Sequence, residues 1–473
     1  MSAPLSVGFD LDMTLIDTGP GFGATLRALG TELDVAFPVE EVTARLGPPL
    51  DHLIGPHLAA DAVGPAVDRF RELYPAHAIT PTLLLPGAAE ALDAVRAAGG
   101  RVVVVTGKYT PNARLHLQHL EVAHDELAGE VWGSGKGDVL RREGCSVYVG
   151  DHVHDVEGAR AAGALSVSVL TGGSTRQELL AAGTDVLLDD LTQFPGWFAD
   201  HLLESRLASL TADLERRESL MVAYSGGADS AFLLAAAVRA LGPQRVVAAT
   251  GYSDSLPRAE RDPARRFAES LGVAVLTPRT HEMEREGYRA NAGDRCFFCK
   301  AELLDVLTPL AREHGLRYVA TGTNADDMVA GFRPGIRAAD ERDAITPLAD
   351  AGLTKQQIRE ASRRWALPTW DKPQAACLSS RIAYGLEVTP HRLARVERAE
   401  AAVRDRAAEL GVPLTNLRVR DRGDRASVEL DAALLPLADE VAESLLESVR
   451  AAGFERAELD PRGFRSGSLN DLL

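Results

Sequence analysis

Short runs of β-branched and other apolar residues recur along the chain, among them SVGFD (6–10), VVVVT (102–106), SVYVGD (146–151), LMVAYS (220–225) and RVVAAT (245–250). Each closes on Gly, Thr, Ser or Asp, and stretches of Ala, Leu, Arg and Glu with helical spacing lie between them. Strands alternating with helices predict an α/β protein with parallel sheets, whose ligands bind at the C-terminal ends of the strands.

The pattern predicts a first unit over residues 1–200, with a mostly helical insert at about 19–80. A polar turn punctuated by Pro and Gly, DDLTQFPGWFADHL (189–202), is expected to close it and to precede a connector helix at 201–219. A second α/β unit is expected over 220–385, followed by a smaller α+β region over 386–473. No internal repeat or low-complexity tract interrupts this order.

Length and composition support that picture: 473 residues favour two or three domains, and 45% hydrophobic with 25% charged residues is a globular mixture. A formal charge of −17 disfavours nucleic acid and anionic membrane as partners. No basic segment followed by an apolar one opens the chain, and no apolar run is long enough to span a bilayer, so a cytoplasmic location is expected. A small-molecule partner is expected, and a homo-oligomer is compatible with the sequence. Four cysteines in so long a chain do not make a disulfide framework. Cys145, at the start of a strand-like run, reads as a small buried hydrophobe.

Candidate chemistry in the first half begins with VGFDLDMTLIDT (7–18), where Asp10 and Asp12 stand two apart at a strand end and therefore point to one side. Asp10 could attack phosphorus while Asp12 protonates the leaving group. Thr106 closes VVVVT, Lys136 in GSGKGDVL could neutralise a transferring phosphoryl group, and Asp151 and Asp155 in VGDHVHD offer hard oxygen donors for Mg²⁺. His152 and His154 read as solvent-facing loop residues in preference to substrate contacts. Together and in this order these motifs resemble those of the haloacid dehalogenase superfamily of phosphatases over residues 1–200. The resemblance implies a Rossmann-like core with a helical cap, Asp10 as nucleophile and Asp12 as general acid and base. It also implies phosphate binding by Thr106 and Lys136, and Mg²⁺ held by Asp10, Asp12 and Asp151 with Asp155 beside them.

In the second half, LMVAYSGGADSAFLLAAAVRA (220–240) is a strand, a glycine turn and a helix, which together make an anion cradle. No Gly-Lys-Ser/Thr follows, so it is not a Walker A loop. Ser225, Gly226, Gly227, Asp229 and Ser230 resemble the PP-loop ATP pyrophosphatases, which cleave ATP between the α- and β-phosphates. Ser255 and, in YVATGTNADD (318–327), Gly322, Thr323 and Asp327 join the implied ATP site. GFRPGIR (331–337) brings Arg333 and Arg337 to the same side.

The C-x-x-C of DRCFFCK (294–300) fits a redox pair, half of a zinc site or part of an iron–sulfur site. Cys377 in QAACLSSR (374–381) raises the thiol count to three. SGGADS, RCFFCK, GTNADD, RPGIR, ACLSSR and the terminal GFRSGS (463–468), taken as an ordered set, closely resemble the LarE family of ATP-dependent sulfur transferases over about residues 215–473. That resemblance implies adenylation of a pyridinium carboxylate mononucleotide by ATP, followed by sulfur insertion to give a thiocarboxylate for a nickel-pincer nucleotide cofactor. It implies a [4Fe–4S] cluster on Cys296, Cys299 and Cys377. The alternative within the family is a sacrificial Cys377, whose thiol becomes the inserted sulfur and which ends as dehydroalanine. Arg418, Arg420 and Arg465 would grip the substrate phosphate, Glu429 matches a family acidic residue, and Arg381 could lower the pKa of a nearby thiol.

The leading expectation is thus a bifunctional enzyme using ATP and Mg²⁺, with pyrophosphate one candidate substrate for the phosphatase half. A PP-loop tRNA thiolase or amidating ligase shares SGGADS, but the acidic charge and the GFRSGS tail oppose it.

Overall fold

The computed structural model describes residues 5–465 except 330, 332, 374–376 and 436. Parts of three motifs, namely Gln374 to Ala376 of QAACLSSR, Ser466 to Ser468 of GFRSGS and Phe332 of GFRPGIR, therefore lie outside the described residues. The chain divides into two compact units, Met1–Leu202 and Leu203–Leu473.

Unit 1 is built on a six-stranded parallel sheet. Its strands are β1 (Ser6–Phe9), β2 (Arg101–Val105), β3 (Glu126–Ala128), β4 (Val147–Gly150), β5 (Leu165–Val169) and β6 (Val186–Leu188), in the spatial order β3-β2-β1-β4-β5-β6. β1, β2 and β4 are apolar on nearly every position because helices cover both faces of a parallel sheet. Their C-terminal ends lie side by side, which is where Asp10, Thr106 and Asp151 emerge. Between β1 and β2 the chain makes a helical cap whose main helices, Gly19–Leu33 and Val63–His77, bury Phe22, Leu26, Leu29, Phe70 and Tyr74 in a core of their own.

Unit 2 has a four-stranded parallel sheet of β7 (Leu220–Ala223), β8 (Val246–Ala249), β9 (Ala274–Leu276) and β10 (Val319–Thr321), in the order β9-β8-β7-β10. A three-stranded sheet follows, in which β11 (Leu417–Asp421) runs antiparallel to β12 (Arg425–Leu430) and β13 (Arg456–Leu459) completes the edge. The helix Pro390–Glu409 packs on this small sheet through Leu393, Val396, Ala399, Val403 and Ala407.

One expectation needs correction. The connector helix starts at Phe194, not at 201, and runs to Arg217. Pro195 and Gly196 lie inside its first turn, where proline's missing N–H has no intrahelical partner to lose. Phe194 and Phe198 are buried in the core of unit 1, whereas Leu203, Leu207, Leu210 and Leu214 are buried in that of unit 2.

Candidate functional site

The site of unit 1 is a cluster of buried charge. Asp10, Asp151 and Asp155 bring one carboxylate oxygen each to within 4.8 Å of one another. Lys136 Nζ donates to Asp10 Oδ1 (2.8 Å), to Asp155 Oδ1 (2.6 Å) and to the Tyr148 hydroxyl (3.0 Å). Thr14 Oγ1 donates to Asp151 Oδ1 at 2.9 Å. One ammonium does not balance three carboxylates. Burial pushes the Asp10 carboxyl up to about 7, with the charges of Asp155 and Asp12 adding to it and Lys136 opposing. Burial also pushes Asp151 well up, with Asp155 and Asp10 adding. A site of hard oxygen donors that holds its protons for want of positive charge fits a divalent cation such as Mg²⁺.

Asp12 stands apart from that cluster. Lys108, which the sequence reading did not single out, donates to Asp12 Oδ1 at 2.7 Å and lies over the Tyr74 ring of the cap at 4.7 Å. Burial opposes ionisation of Asp12, but Lys108 outweighs it and holds the carboxyl below its ordinary value. Tyr74 in turn hydrogen-bonds His116 (3.1 Å). Thr106 Oγ1 lies 3.5 Å from Asp12 and accepts a bond from the Lys108 N–H. The signal in the sequence was the spacing, since Lys108 follows Thr106 by two at a strand end. His152 caps the helix Val153–Ala162 and accepts from His154 N–H; both histidines line the cleft over the carboxylates, and His154 also faces solvent, beside Glu157.

In unit 2 the phosphate loop folds on its own hydroxyls. Ser225 Oγ and Ser230 Oγ are 3.1 Å apart, and Ser230 Oγ donates to the Gly227 carbonyl (3.1 Å). Gly226 takes φ +74°, and a Cβ there would meet Ala264 at 2.7 Å. Gly322 passes so close that a Cβ would lie 2.9 Å from Ser230 N. The helix Ala228–Leu241 then starts with its N–H groups facing a cavity of about 490 Å³. Ser225, Gly227, Asp229, Ser230, Ser255, Gly322, Thr323 and Asp327 line it, whereas Gly226 shapes the turn from behind. Asn324 Nδ2 donates to Asp229 (3.0 Å), whose carboxyl is raised by burial and by Asp327.

Cations that the sequence reading missed line the same cavity. Lys355 pairs with Asp327 (3.0 Å), Lys372 donates to the Gly226 carbonyl (2.9 Å) and pairs with Glu260 (2.6 Å), and Arg359 stands one turn from Lys355. The i, i+4 pair behind the N-cap Thr354 was the available signal. Lys300 follows Cys299 into the cavity, and burial lowers its pKa. Arg337 instead stacks on Phe297, 4.4 Å from its ring, and Arg333 stands 3.9 Å from Asp327.

Cys299 and Cys377 both line this cavity. Cys296 precedes Cys299 by one turn at the start of the helix Arg295–Glu313. Burial and the charge of Cys377 raise both Cys296 and Cys299, so the three sulfurs face one electrostatic neighbourhood. They do not converge to within 4.8 Å as the carboxylates of unit 1 do. A four-coordinate zinc, with bonds of about 2.3 Å, needs closer sulfurs than that. Three thiols in one neighbourhood are soft donors of the kind that hold an iron–sulfur group.

Cys377 belongs to a segment held from two sides. The Leu378 N–H donates to the Ser255 carbonyl (2.9 Å), while Arg420 donates to the Ser380 carbonyl (2.8 Å). Arg381 pairs with Glu400 (2.9 Å) and donates to the carbonyl of Cys377 (3.2 Å). Glu400 was missed, although a carboxylate among Val396, Ala399 and Val403 on a buried helical stripe is a readable anomaly. Arg420 is paired with Glu429 at 2.6 Å, so the two predicted site residues largely neutralise each other. Arg418, by contrast, pairs with no carboxylate among the described residues. It packs over Phe464 (4.5 Å) and its NH1 lies 3.5 Å from the carbonyl of Arg465. Burial, with Arg381 and Arg420 nearby, lowers its pKa to about 10, which marks it as the cation in need of an anion.

Comparison with known proteins divides along the same line. The family model for haloacid dehalogenase-like hydrolases matches residues 7–160, and one described as HAD-hydrolase-like matches 135–194. A phosphoglycolate phosphatase of Caulobacter vibrioides is 29% identical over 215 residues, covering 40% of this chain and 89% of its own. Protein slr1717 of Synechocystis is 39% identical over 274 residues, 58% of this chain and 99% of that protein. The pyridinium-3,5-bisthiocarboxylic acid mononucleotide synthase of Lactiplantibacillus plantarum is 31% identical over 271 residues, 57% of this chain and 96% of the synthase. A phosphate loop, a cysteine-lined cavity and near-complete coverage of that synthase make this chain a member of the LarE family, with a haloacid dehalogenase-like domain in front.

Proposed function

We propose that the chain is a bifunctional enzyme in nickel-pincer nucleotide biosynthesis, joining an ATP-dependent sulfur transferase to a Mg²⁺-dependent phosphatase. The observation that carries the reading is the single cavity of unit 2, lined at once by the phosphate loop, by Cys299 and by Cys377. Adenylation and sulfur delivery then share one space. ATP binds with its phosphates on the Ser225–Ser230 loop and the helix N-terminus behind it, and Lys355, Arg359 and Lys372 take up charge on the departing pyrophosphate. The carboxylate of a pyridinium mononucleotide attacks the α-phosphorus, giving an acyl-adenylate. Arg418, with Arg465 beside it, receives the substrate phosphate. Sulfur attacks the acyl carbon, AMP departs, and a thiocarboxylate remains.

Cys296, Cys299 and Cys377 would hold the iron–sulfur group, which when bound would supply the sulfur source. The second reading is supported by the exposure of Cys377 to the same cavity: its thiolate attacks, AMP leaves as the thioester forms, and loss of the Cα proton breaks the C–S bond to leave dehydroalanine. In either case the substrate is a small nucleotide, not a nucleic acid, and the reaction is cytoplasmic.

In unit 1, Asp10 attacks phosphorus and the leaving oxygen takes a proton through Asp12, which is ionised beside Lys108 in the free site and receives that proton from the monoanionic phosphate ester as it binds. Water then releases phosphate from the aspartyl ester and restores Asp10. Lys136 holds Asp10 in line and faces the transferring group. Asp10, Asp151 and the backbone of Asp12, with Asp155 alongside, would hold Mg²⁺, which supplies charge neutralisation at the phosphoryl oxygens.

The test is an anaerobic preparation given ATP, sulfide and the pyridinium dicarboxylate mononucleotide. Pyrophosphate release with sulfur gain in the nucleotide is expected, together with bound iron and an unchanged Cys377 peptide. Loss of H₂S mass from that peptide selects the sacrificial reading. Absence of both pyrophosphate release and sulfur gain refutes the transferase assignment.

A further inference from the structure

The cleft between the cap and the strand ends of unit 1 has a volume of about 490 Å³. Pockets of about 300–1,000 Å³ enclose ligands of drug size. The phosphoryl chemistry needs only the floor, where Asp10, Thr106 and Lys136 lie. Much of the remaining wall is apolar, with Phe22, Leu50, Leu53, Val67 and Phe70 from the cap and Trp132 from the core. A small, wholly polar dianion such as pyrophosphate gains nothing from such walls, which would be left against water.

Among the polar groups of the cleft that have no part in the chemistry, Asn112 and Arg71 are placed to meet a ligand. Asn112 is only 5% exposed and lines the cleft, yet its side-chain amide makes no hydrogen bond among the described residues. Its amide opens on the cleft, where a ligand group can replace water as its partner. Arg71 lies over the Tyr109 ring at 4.7 Å, with Asp68 no nearer than 3.8 Å, and both arginine and tyrosine line the cleft. A planar cation already stacked on an aromatic ring is set to meet an anionic substituent or a second flat ring.

We propose that unit 1 hydrolyses a nucleotide-sized phosphate monoester with an aromatic body. Its ring lies against the apolar wall, and its acceptor or anionic substituents are met by Asn112 and Arg71. This deepens the phosphatase reading above and rests on it. Water supplies the oxygen, the phosphorus–oxygen ester bond breaks, and the products are inorganic phosphate and the free alcohol. Two sources share that chemistry: a pyridinium carboxylate mononucleotide, and the AMP released at the second site.

The experiment follows phosphate release by the full chain with Mg²⁺, comparing a pyridinium carboxylate mononucleotide, AMP, p-nitrophenyl phosphate, pyrophosphate and 2-phosphoglycolate. One nucleotide is expected to exceed pyrophosphate and phosphoglycolate in kcat/KM by at least about tenfold, a margin that a few pocket contacts supply. Which nucleotide leads identifies the source. Arg71→Ala and Asn112→Ala are expected to narrow that margin by raising KM for the nucleotide more than for p-nitrophenyl phosphate. Preference for pyrophosphate or phosphoglycolate, or an equal loss on all substrates in both variants, overturns the proposal while leaving a phosphatase. No phosphate release from any substrate, with Asp10→Asn indistinguishable from the parent, removes the phosphatase reading itself.

Discussion

The two sites solve the handling of phosphate in opposite ways. In unit 1 charged side chains are already locked together: Lys136 sits between Asp10 and Asp155, and Lys108 sits on Asp12. In unit 2 the cavity walls assigned above to ATP are hydroxyls, glycine backbone and a helix N-terminus, with Lys355 and Lys372 each paired with one carboxylate. A buried network of full charges depends on every member, whereas a cradle of backbone dipoles tolerates the loss of one. Unit 1 should therefore fail in stability as well as activity when a charge is removed, and unit 2 chiefly in activity.

The sharpest separation should come from the nucleophiles. Asp10→Asn is expected to lower phosphate release by about 10⁴-fold or more while leaving ATP-driven sulfur transfer in place. Cys377→Ala should do the reverse, stopping sulfur transfer while substrate-dependent pyrophosphate release continues. If either variant abolishes both activities, the two sites are not separate. Next in size is Lys136→Met, which leaves Asp10 and Asp155 buried without their counter-ion and should cost about 3–5 kcal/mol in the unfolding of unit 1. Added Mg²⁺ should recover part of that loss and chelation deepen it, as read by the midpoint of thermal unfolding. In unit 2 the corresponding break is Glu400→Gln, which removes the carboxylate charge paired with Arg381 on a buried helical stripe. Its expected signature is a lower midpoint with slower sulfur transfer, because Arg381 also holds the carbonyl of Cys377.

The smallest effect concerns pH. Burial, with Lys108 adding, lowers His116 to about 3 from its ordinary 6.5, so the folded protein keeps the ring neutral. Below 6.5 the unfolded chain binds a proton that the folded one refuses, and stability falls as pH drops toward 3. The slope from this group is about 1.4 kcal/mol per pH unit. His116→Gln should flatten the fall in unfolding free energy of unit 1 between pH 6 and 4 relative to the parent. An unchanged slope would show that the ring is protonated in place.

Much of this was legible because strand ends announce themselves. Asp10, Thr106 and Asp151 close three apolar runs, and parallel pairing of β1 with β2 and β4 puts three such ends side by side whatever the loops do. What escaped were groups whose meaning lies in a partner far along the chain. Lys108 is one of only five lysines, yet its position says little until Tyr74 and Asp12 flank it, and Glu400 is an anomaly on an apolar stripe until Arg381 arrives from a different element. Proximity of Arg381 to Cys377 in sequence likewise said nothing about the carboxylate of Glu400 that pairs with it. Pro195 was taken as a stop, although a proline in the first turn of a helix is a start.

That last misreading has a practical side. The helix Phe194–Arg217 contributes two aromatic residues to one core and four leucines to the other. Anyone beginning a fragment of the second unit at β7 would discard Leu203, Leu207, Leu210 and Leu214 with the linker. Removing even one buried leucine side chain typically costs about 2–5 kcal/mol, a large share of a domain's whole margin. The workable cut lies between Leu202 and Leu203, inside a continuous helix, so swapping or transplanting either half means carrying its own stretch of that helix along.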